Sequence, residues 1–155
     1  MSRQVLSEQA LAAWVGLLRG HASLTRVLNA QLVAEHGLTI NDYEVLLQLA
    51  RAPERRLRGV DLAEGVLLTQ SGITRLLDGL EQAGYVERAE CLSDRRVVYA
   101  VLTDAGLEKL REAAGTHLAG IQAQFAERFS DDELATLHEL LSRLPGAGEG
   151  GACSP

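Results

Sequence analysis

Cysteine, proline and aromatic residues are all scarce in this chain: two Cys, three Pro and 4% Phe, Trp and Tyr among 155 residues. Two cysteines, Cys91 and Cys153, cannot staple a fold, so a reducing cytoplasm is the expected compartment. No uninterrupted apolar run approaches the roughly 18–20 residues that span a bilayer, and the N-terminus has no basic-then-apolar leader. A Gly-rich phosphate loop, a nucleophile elbow and a paired-carboxylate pattern are all missing, which argues against an enzyme and against a bound cofactor. His21, His36, His117 and His138 fall at no metal-ligand spacing, so no metal site is expected; Glu35-His36 is the one suggestive pair, and a His at a helix C-terminus is accounted for by the dipole. Positive charge is not in excess either. The formal net charge is −6, which by itself speaks against a nucleic-acid binder.

The distribution of charge says more than its sum. Residues 51–100 hold eight arginines (51, 55, 56, 58, 75, 88, 95 and 96) against eight acids (54, 61, 64, 78, 81, 87, 90 and 94). This third of the chain is neutral, its arginines bunched at two ends, and the surplus acid lies elsewhere. Local patches can hold phosphate while the remainder repels it, giving modest and strongly salt-dependent affinity. Hydrophobic content of 46% with 23% charged residues describes a globular chain with room for one core, or one domain with a helical extension.

The centre of the organisation is the stretch from Leu68 to Val86. Thr69 is placed to cap a helix, with Leu68 and Ile73 as a hydrophobic staple. Ile73, Leu76, Leu77 and Leu80 make one apolar stripe at i, i+3, i+4, i+7, and Gly84 closes the helix. Gln70, Ser71, Thr74 and Arg75 project from the other side. On a lone helix these read as an ordinary solvated face. On a helix that enters a major groove N-terminus first, they are the amide, guanidinium and hydroxyl groups that base edges and phosphates require.

The surroundings favour the second reading. A long helical pattern runs from Ser7 to His36-Gly37 through Leu11, Trp14, Val15, Leu18, Leu28 and Leu32; at about 30 residues it spans near 45 Å, more than its own core needs, and suggests a partner subunit. Thr39 with Asp42 starts a second helix that ends before Pro53. Pro53 to Arg56 is a turn and Leu57 begins a short extended segment. Gly59 to Gly65 forms a short helix with Val60, Leu62 and Ala63 inward, and helix, turn and central helix together make a helix-turn-helix. Residues 85–91 and 97–103 are β-rich and bracket Leu92-Ser93-Asp94-Arg95-Arg96, a hairpin with a basic tip. Thr103 caps a fifth helix. Ser130 with Glu133 opens a sixth with a capping box, staple residues Phe129 and Leu134 flanking it, and Pro145-Gly146 stops it. The fold class is therefore mainly α: a winged helix-turn-helix with a small β-hairpin wing over residues 39–103, flanking helices at 1–38 and 104–145, and a Gly-rich disordered tail at 146–155.

In this order these pieces resemble the MarR family of bacterial transcription regulators. The family's Asp-x-Arg and Leu-Thr-x-x-Gly appear as Asp94, Arg96, Leu102, Thr103 and Gly106, and its recognition-helix pattern as Thr69, Ser71, Ile73, Thr74, Leu76, Leu80 and Gly84. The resemblance covers about residues 7 to 144. It implies a homodimeric repressor in which the helices at 1–38 and 104–145 form a helical dimerisation domain, and whose two winged helices grip successive major grooves of a pseudo-palindromic double-stranded DNA operator, in the cytoplasm at nucleoid-associated sites. Carried onto this chain, Thr69, Gln70, Ser71, Thr74 and Arg75 meet bases and adjacent phosphates. Arg96 reads the minor groove, Asp94 orients it, and Arg95 takes a phosphate. Arg58 replaces the usual Ser or Thr cap of the motif's first helix and is left free for a phosphate. Relatives often bind small aromatic acids or phenols, and Trp14, His21 and Tyr43 are the candidates to line such a cleft, with plain packing as the alternative. Cys91 on the wing strand reads as structural; redox or zinc sensing is the lesser expectation. The competing function is a winged-helix dimer that binds protein and not DNA, which the acidic total favours.

Overall fold

The structure, a computed structural model, describes residues 5–66 and 70–146, with the backbone alone at Val66, Gln70 and Ser71. Six α-helices and three short strands follow one another: α1 (Glu8–His36), α2 (Ile40–Arg51), β1 (Arg56–Arg58), α3 (Gly59–Val66), α4 (Gln70–Gln82), β2 (Val86–Glu90), β3 (Val98–Leu102), α5 (Asp104–Gln124) and α6 (Asp131–Leu141). The expected mainly α class with a β wing is the class observed.

The helix ends fall where the capping residues put them. Ser7 accepts the backbone N–H of Ala10, and Gly37 closes α1 in the left-handed region at φ 66°. Thr39 and Asp42 form a reciprocal capping box on α2, as Ser130 and Glu133 do on α6. At the end of α4 the N–H of Tyr85 reaches the carbonyl of Leu80, and that of Gly84 reaches Glu81. This pair of bonds, with Gly84 at φ 81°, is a Schellman closure that only a residue without Cβ adopts without strain.

Two compact units divide the chain, one through Leu118 and one from Ala119. In the first, the core is built on α2, whose Val45, Leu46 and Leu49 are fully buried. Leu62 of α3, Ile73, Leu77 and Leu80 of α4, Val86 of β2, Ala100 and Leu102 of β3 and Leu110 and Ala113 of α5 close around them. Leu76 of the predicted stripe is only partly buried and packs at its margin. In the second unit, Phe129 packs its ring on Phe125 at 5.4 Å, just ahead of the Ser130 cap.

Two local expectations change. The extended segment at Leu57 is a third strand: β1 pairs antiparallel with β3, Leu57 opposite Ala100, and the sheet order is β1-β3-β2. This makes β3 the central strand, and Ala100 and Leu102, two residues apart, share its buried face. Val60, expected inward, is 44% exposed. Eight residues give α3 little more than two turns, and Leu62 and Ala63 occupy its inner side.

The N-terminal two thirds of α1 tell a different story from its end. Leu28 and Leu32 are its buried residues. Leu11, Trp14 and Leu18, at i, i+3 and i+7, are each about half exposed and form an apolar row. Among the described residues no helix is long and apolar enough to cross a membrane.

Candidate nucleic-acid interface

The site is assembled by the helix-turn-helix and the hairpin together. Its helix, α4, turns Thr74 and Arg75 outward, opposite the buried Ile73, Leu77 and Leu80. Thr69 and Leu68, expected to cap and staple this helix, lie outside the described residues, as do the side chains of Gln70 and Ser71.

The hairpin carries Asp94 at its tip. The carboxylate of Asp94 accepts the backbone N–H of Arg96 at 3.0 Å, and the N–H of Val97 donates to the Asp94 carbonyl at 3.1 Å. Asp94 therefore acts on Arg96 through the backbone, folding the tip so that the chain turns back into β3. The N–H of Cys91 meets the Val97 carbonyl at 3.0 Å, which continues the ladder to the base of the turn.

The structure sorts the arginines of this region into two sets. Arg55 is paired with Asp104, and Arg56 with Glu54. Arg58 makes a two-armed pair with Asp61, at 3.0 and 3.2 Å, which raises the guanidinium pKa further. The free Arg58 of the sequence reading is thus corrected. The carboxylate three residues on, in the first turn of α3, is within reach of its fork. Arg88, which the sequence reading did not single out, donates to Asp78 at 2.8 Å and to Glu81 at 3.0 Å. The i, i+3 spacing of those two acids on one side of α4 was the available sign of it. Arg75, Arg95 and Arg96 engage no carboxylate among the described residues, and all three are exposed.

Arg58, Thr74, Arg88 and Arg96 rim one groove of about 350 Å³ whose floor includes Ile73, Leu77, Val98 and Ala100. Two of the four arginines expected on the DNA face line it, and Arg75 and Arg95 are sequence neighbours of two other rim residues. Of the effector candidates, Tyr43 is buried in the core with its ring 4.5 Å from that of His117, while Trp14 and His21 stand exposed on α1. The arrangement places Tyr43 among packing residues. Cys91, partly exposed, has its sulfur 3.1 Å from the Ser93 hydroxyl, and hydrogen bonds from Ser93, then from the Asp94 backbone, pull its thiol pKa down.

A MarR-family profile matches residues 36–97, the span from the end of α1 through the wing tip. The MarR-family regulator AbsC of Streptomyces coelicolor superposes with a TM-score of 0.81 at 34% identity, over 90% of this chain and 94% of that one. This chain belongs to the MarR family. It is accordingly a DNA-binding transcriptional regulator and not an enzyme. Another MarR-family structure, Sco3205 of S. coelicolor in complex with DNA, has a TM-score of 0.85 at 30% identity, with 92% and 89% of the two chains covered. The HTH-type transcriptional repressor YetL of Bacillus subtilis is 32% identical over 111 residues, 72% of this chain and 66% of that protein. The family profile spans the helix-turn-helix and the wing through its tip, stopping short of β3.

Proposed function

We propose that this MarR-family regulator is a repressor that grips a pseudo-palindromic operator as a homodimer. Residues 1–38 and 104–145 would form the dimerisation domain and residues 39–103 the DNA-binding domain. The observation that carries the reading is the sorting of arginines. Where Arg55, Arg56, Arg58 and Arg88 are neutralised in place, Arg75 on the recognition helix and Arg95 and Arg96 on the wing have no acidic partner among the described residues. Guanidinium groups without acidic partners on both the recognition helix and the wing suit a duplex, because phosphates and a narrow minor groove supply the missing negative charge. In this reading Thr69, Gln70, Ser71, Thr74 and Arg75 enter the major groove. Arg96 enters the minor groove, with Asp94 shaping its turn and Arg95 on a phosphate. The exposed row of Leu11, Trp14 and Leu18 supports the dimer, and the repressor sense follows the relative that bears that name.

A small aromatic or phenolic acid would loosen the grip. The groove supports this, since Arg96, which engages no described carboxylate, stands at the rim of an apolar floor, and a carboxylate on a flat apolar body suits both. An occupant there would stand between Thr74 and Arg96, the two groups that DNA needs.

Selection of bound sequences from random duplexes, with and without benzoate- or phenol-type ligands, tests the proposal. A two-fold symmetric motif whose recovery falls with ligand is the expected result. Arg96→Ala should weaken binding to that motif at least tenfold while gel filtration shows the dimer unchanged. If the chain selects no DNA, the competing protein-binding reading takes its place.

A further inference from the structure

The network at Arg88 does a task that neither the recognition helix nor the wing tip performs. Arg88 lies on β2, opposite Ala100 of the central strand. Its guanidinium crosses to α4, where Nη2 donates to Asp78 at 2.8 Å and Nε to Glu81 at 3.0 Å. The two carboxylates are three residues apart, so they stand on one side of the helix and offer a pair of acceptors to one planar donor. The side chain is 32% exposed, less than either acid. It is the one described side chain of the wing strands that forms ion pairs with the recognition helix.

Ion pairs this exposed add little to the stability of a fold. Their geometry is another matter. The paired register runs from Arg88 opposite Ala100 to Glu90 opposite Val98, and Cys91 bonds Val97. Arg96 lies in the turn just beyond, about four residues' length from Arg88, or about 13 Å at about 3.3 Å per residue. A swing of about 10° at Arg88 would carry the Arg96 position by about 2 Å, a large fraction of a minor groove about 6 Å wide. A single-point bond would let the strand pivot on the helix. Two donors on two acceptors remove that freedom.

We propose that Arg88 is a positioning residue for operator recognition: by clamping β2 to Asp78 and Glu81 it fixes the angle between wing and recognition helix, so that Arg96 and Thr74 meet one DNA register. The proposal rests on the DNA-binding function and deepens it. Arg88 also rims the groove with Arg96 and Thr74, and its charge cancels part of the acid beside them. Position and charge therefore have to be separated by experiment.

Three variants separate them, each measured on the selected operator and on an unrelated duplex of equal length at two salt concentrations. Arg88→Ala removes both position and charge. Arg88→Lys keeps the charge and can hold one carboxylate. Asp78→Asn with Glu81→Gln abolishes the ion pairs while making the face more positive. For a clamp, Arg88→Ala should lower operator affinity ten- to a hundredfold with only a small change in melting temperature, and Arg88→Lys should recover part of the loss. The Asn/Gln double variant should bind unrelated DNA more tightly yet lose several-fold in its preference for the operator. A role in charge alone predicts the opposite for that variant: stronger binding to both duplexes with the preference intact. That result overturns the proposal, as does an Arg88→Ala protein whose preference for the operator is unchanged. A wild-type chain that selects no sequence overturns the DNA-binding function itself and the clamp with it.

Discussion

The Thr103 hydroxyl donates to the Gly84 carbonyl across 2.7 Å. The same oxygen accepts the N–H of Gly106 at 3.0 Å, and the Thr103 N–H reaches the Tyr85 carbonyl at 3.1 Å. One residue therefore caps the start of α5 and binds the closing turn of α4. The Leu-Thr-x-x-Gly motif has its physical basis here: Thr103 supplies the hydroxyl, and Gly106 allows the Tyr85 backbone to come close.

Replacing Thr103 with Val keeps the shape and the backbone bond to Tyr85 but deletes the two bonds of the hydroxyl. The expected loss is about 1–2 kcal/mol, since a helix cap is worth about 0.5–2 kcal/mol and a second hydrogen bond adds to it. Thr103→Ser should retain most of the stability. Urea unfolding midpoints of the three proteins decide it, and equal midpoints for Val and Thr would refute the double role.

Two glycines should respond in opposite directions. A Cβ at Gly106 would collide with the backbone oxygen of Tyr85 and sit 2.7 Å from Leu102 Cδ1, so Gly106→Ala should destabilise by about 1–3 kcal/mol or more. A Cβ at Gly79, inside α4, meets nothing within 4 Å. Gly79→Ala should therefore stabilise by about 1 kcal/mol, the helix-propensity difference. Thermal melts read both, and a destabilised Gly79→Ala would contradict the open space.

Arg58 is held by Asp61 in the free protein. Asp61→Asn removes the competitor and releases the guanidinium for a phosphate. Affinity for DNA should rise, and the slope of log K against log salt should steepen by about one phosphate contact, near 0.9. An unchanged slope would mean that Arg58 faces no phosphate.

Acid should weaken the fold through His117. It is buried, its Nδ1 has no hydrogen-bond partner among the described residues, and burial lowers its pKa below the usual 6.5. The unfolded chain then binds the proton more readily than the folded one. Stability is full above about pH 6.5 and declines as pH falls towards the depressed value, by up to about 1.4 kcal/mol per pH unit. Glu44, whose pKa burial raises, acts in the opposite sense at more acid pH. Denaturant titrations between pH 7.5 and 5 should show the decline in the wild type and a flatter curve in His117→Leu.

The elements whose ends carry local chemistry were legible before any coordinates. Ser7, Thr39, Thr103 and Ser130 announce helix starts by the hydroxyls they present, and Gly37 and Gly84 announce helix ends, because a cap acts within four residues of itself. The third strand and the pairing of Arg58 and Arg88 were harder to see. Whether Leu57 joins a sheet depends on β3, more than forty residues later. Whether a guanidinium is free depends on which acid the fold brings beside it, and for Arg88 that acid comes from another element. Asp61 was an exception in plain view, three residues from Arg58. The Val60 error came from treating a short helix as if it had a broad inner face.

The exposed apolar row of Leu11, Trp14 and Leu18 on α1 would tie this protein's stability to its concentration. If those side chains are satisfied only by another copy of the chain, the folded state is a property of a population and not of one molecule. Its melting temperature should climb with the amount of protein in the tube. A cell holding few copies would then regulate both the number of operators occupied and how long each unpaired subunit survives.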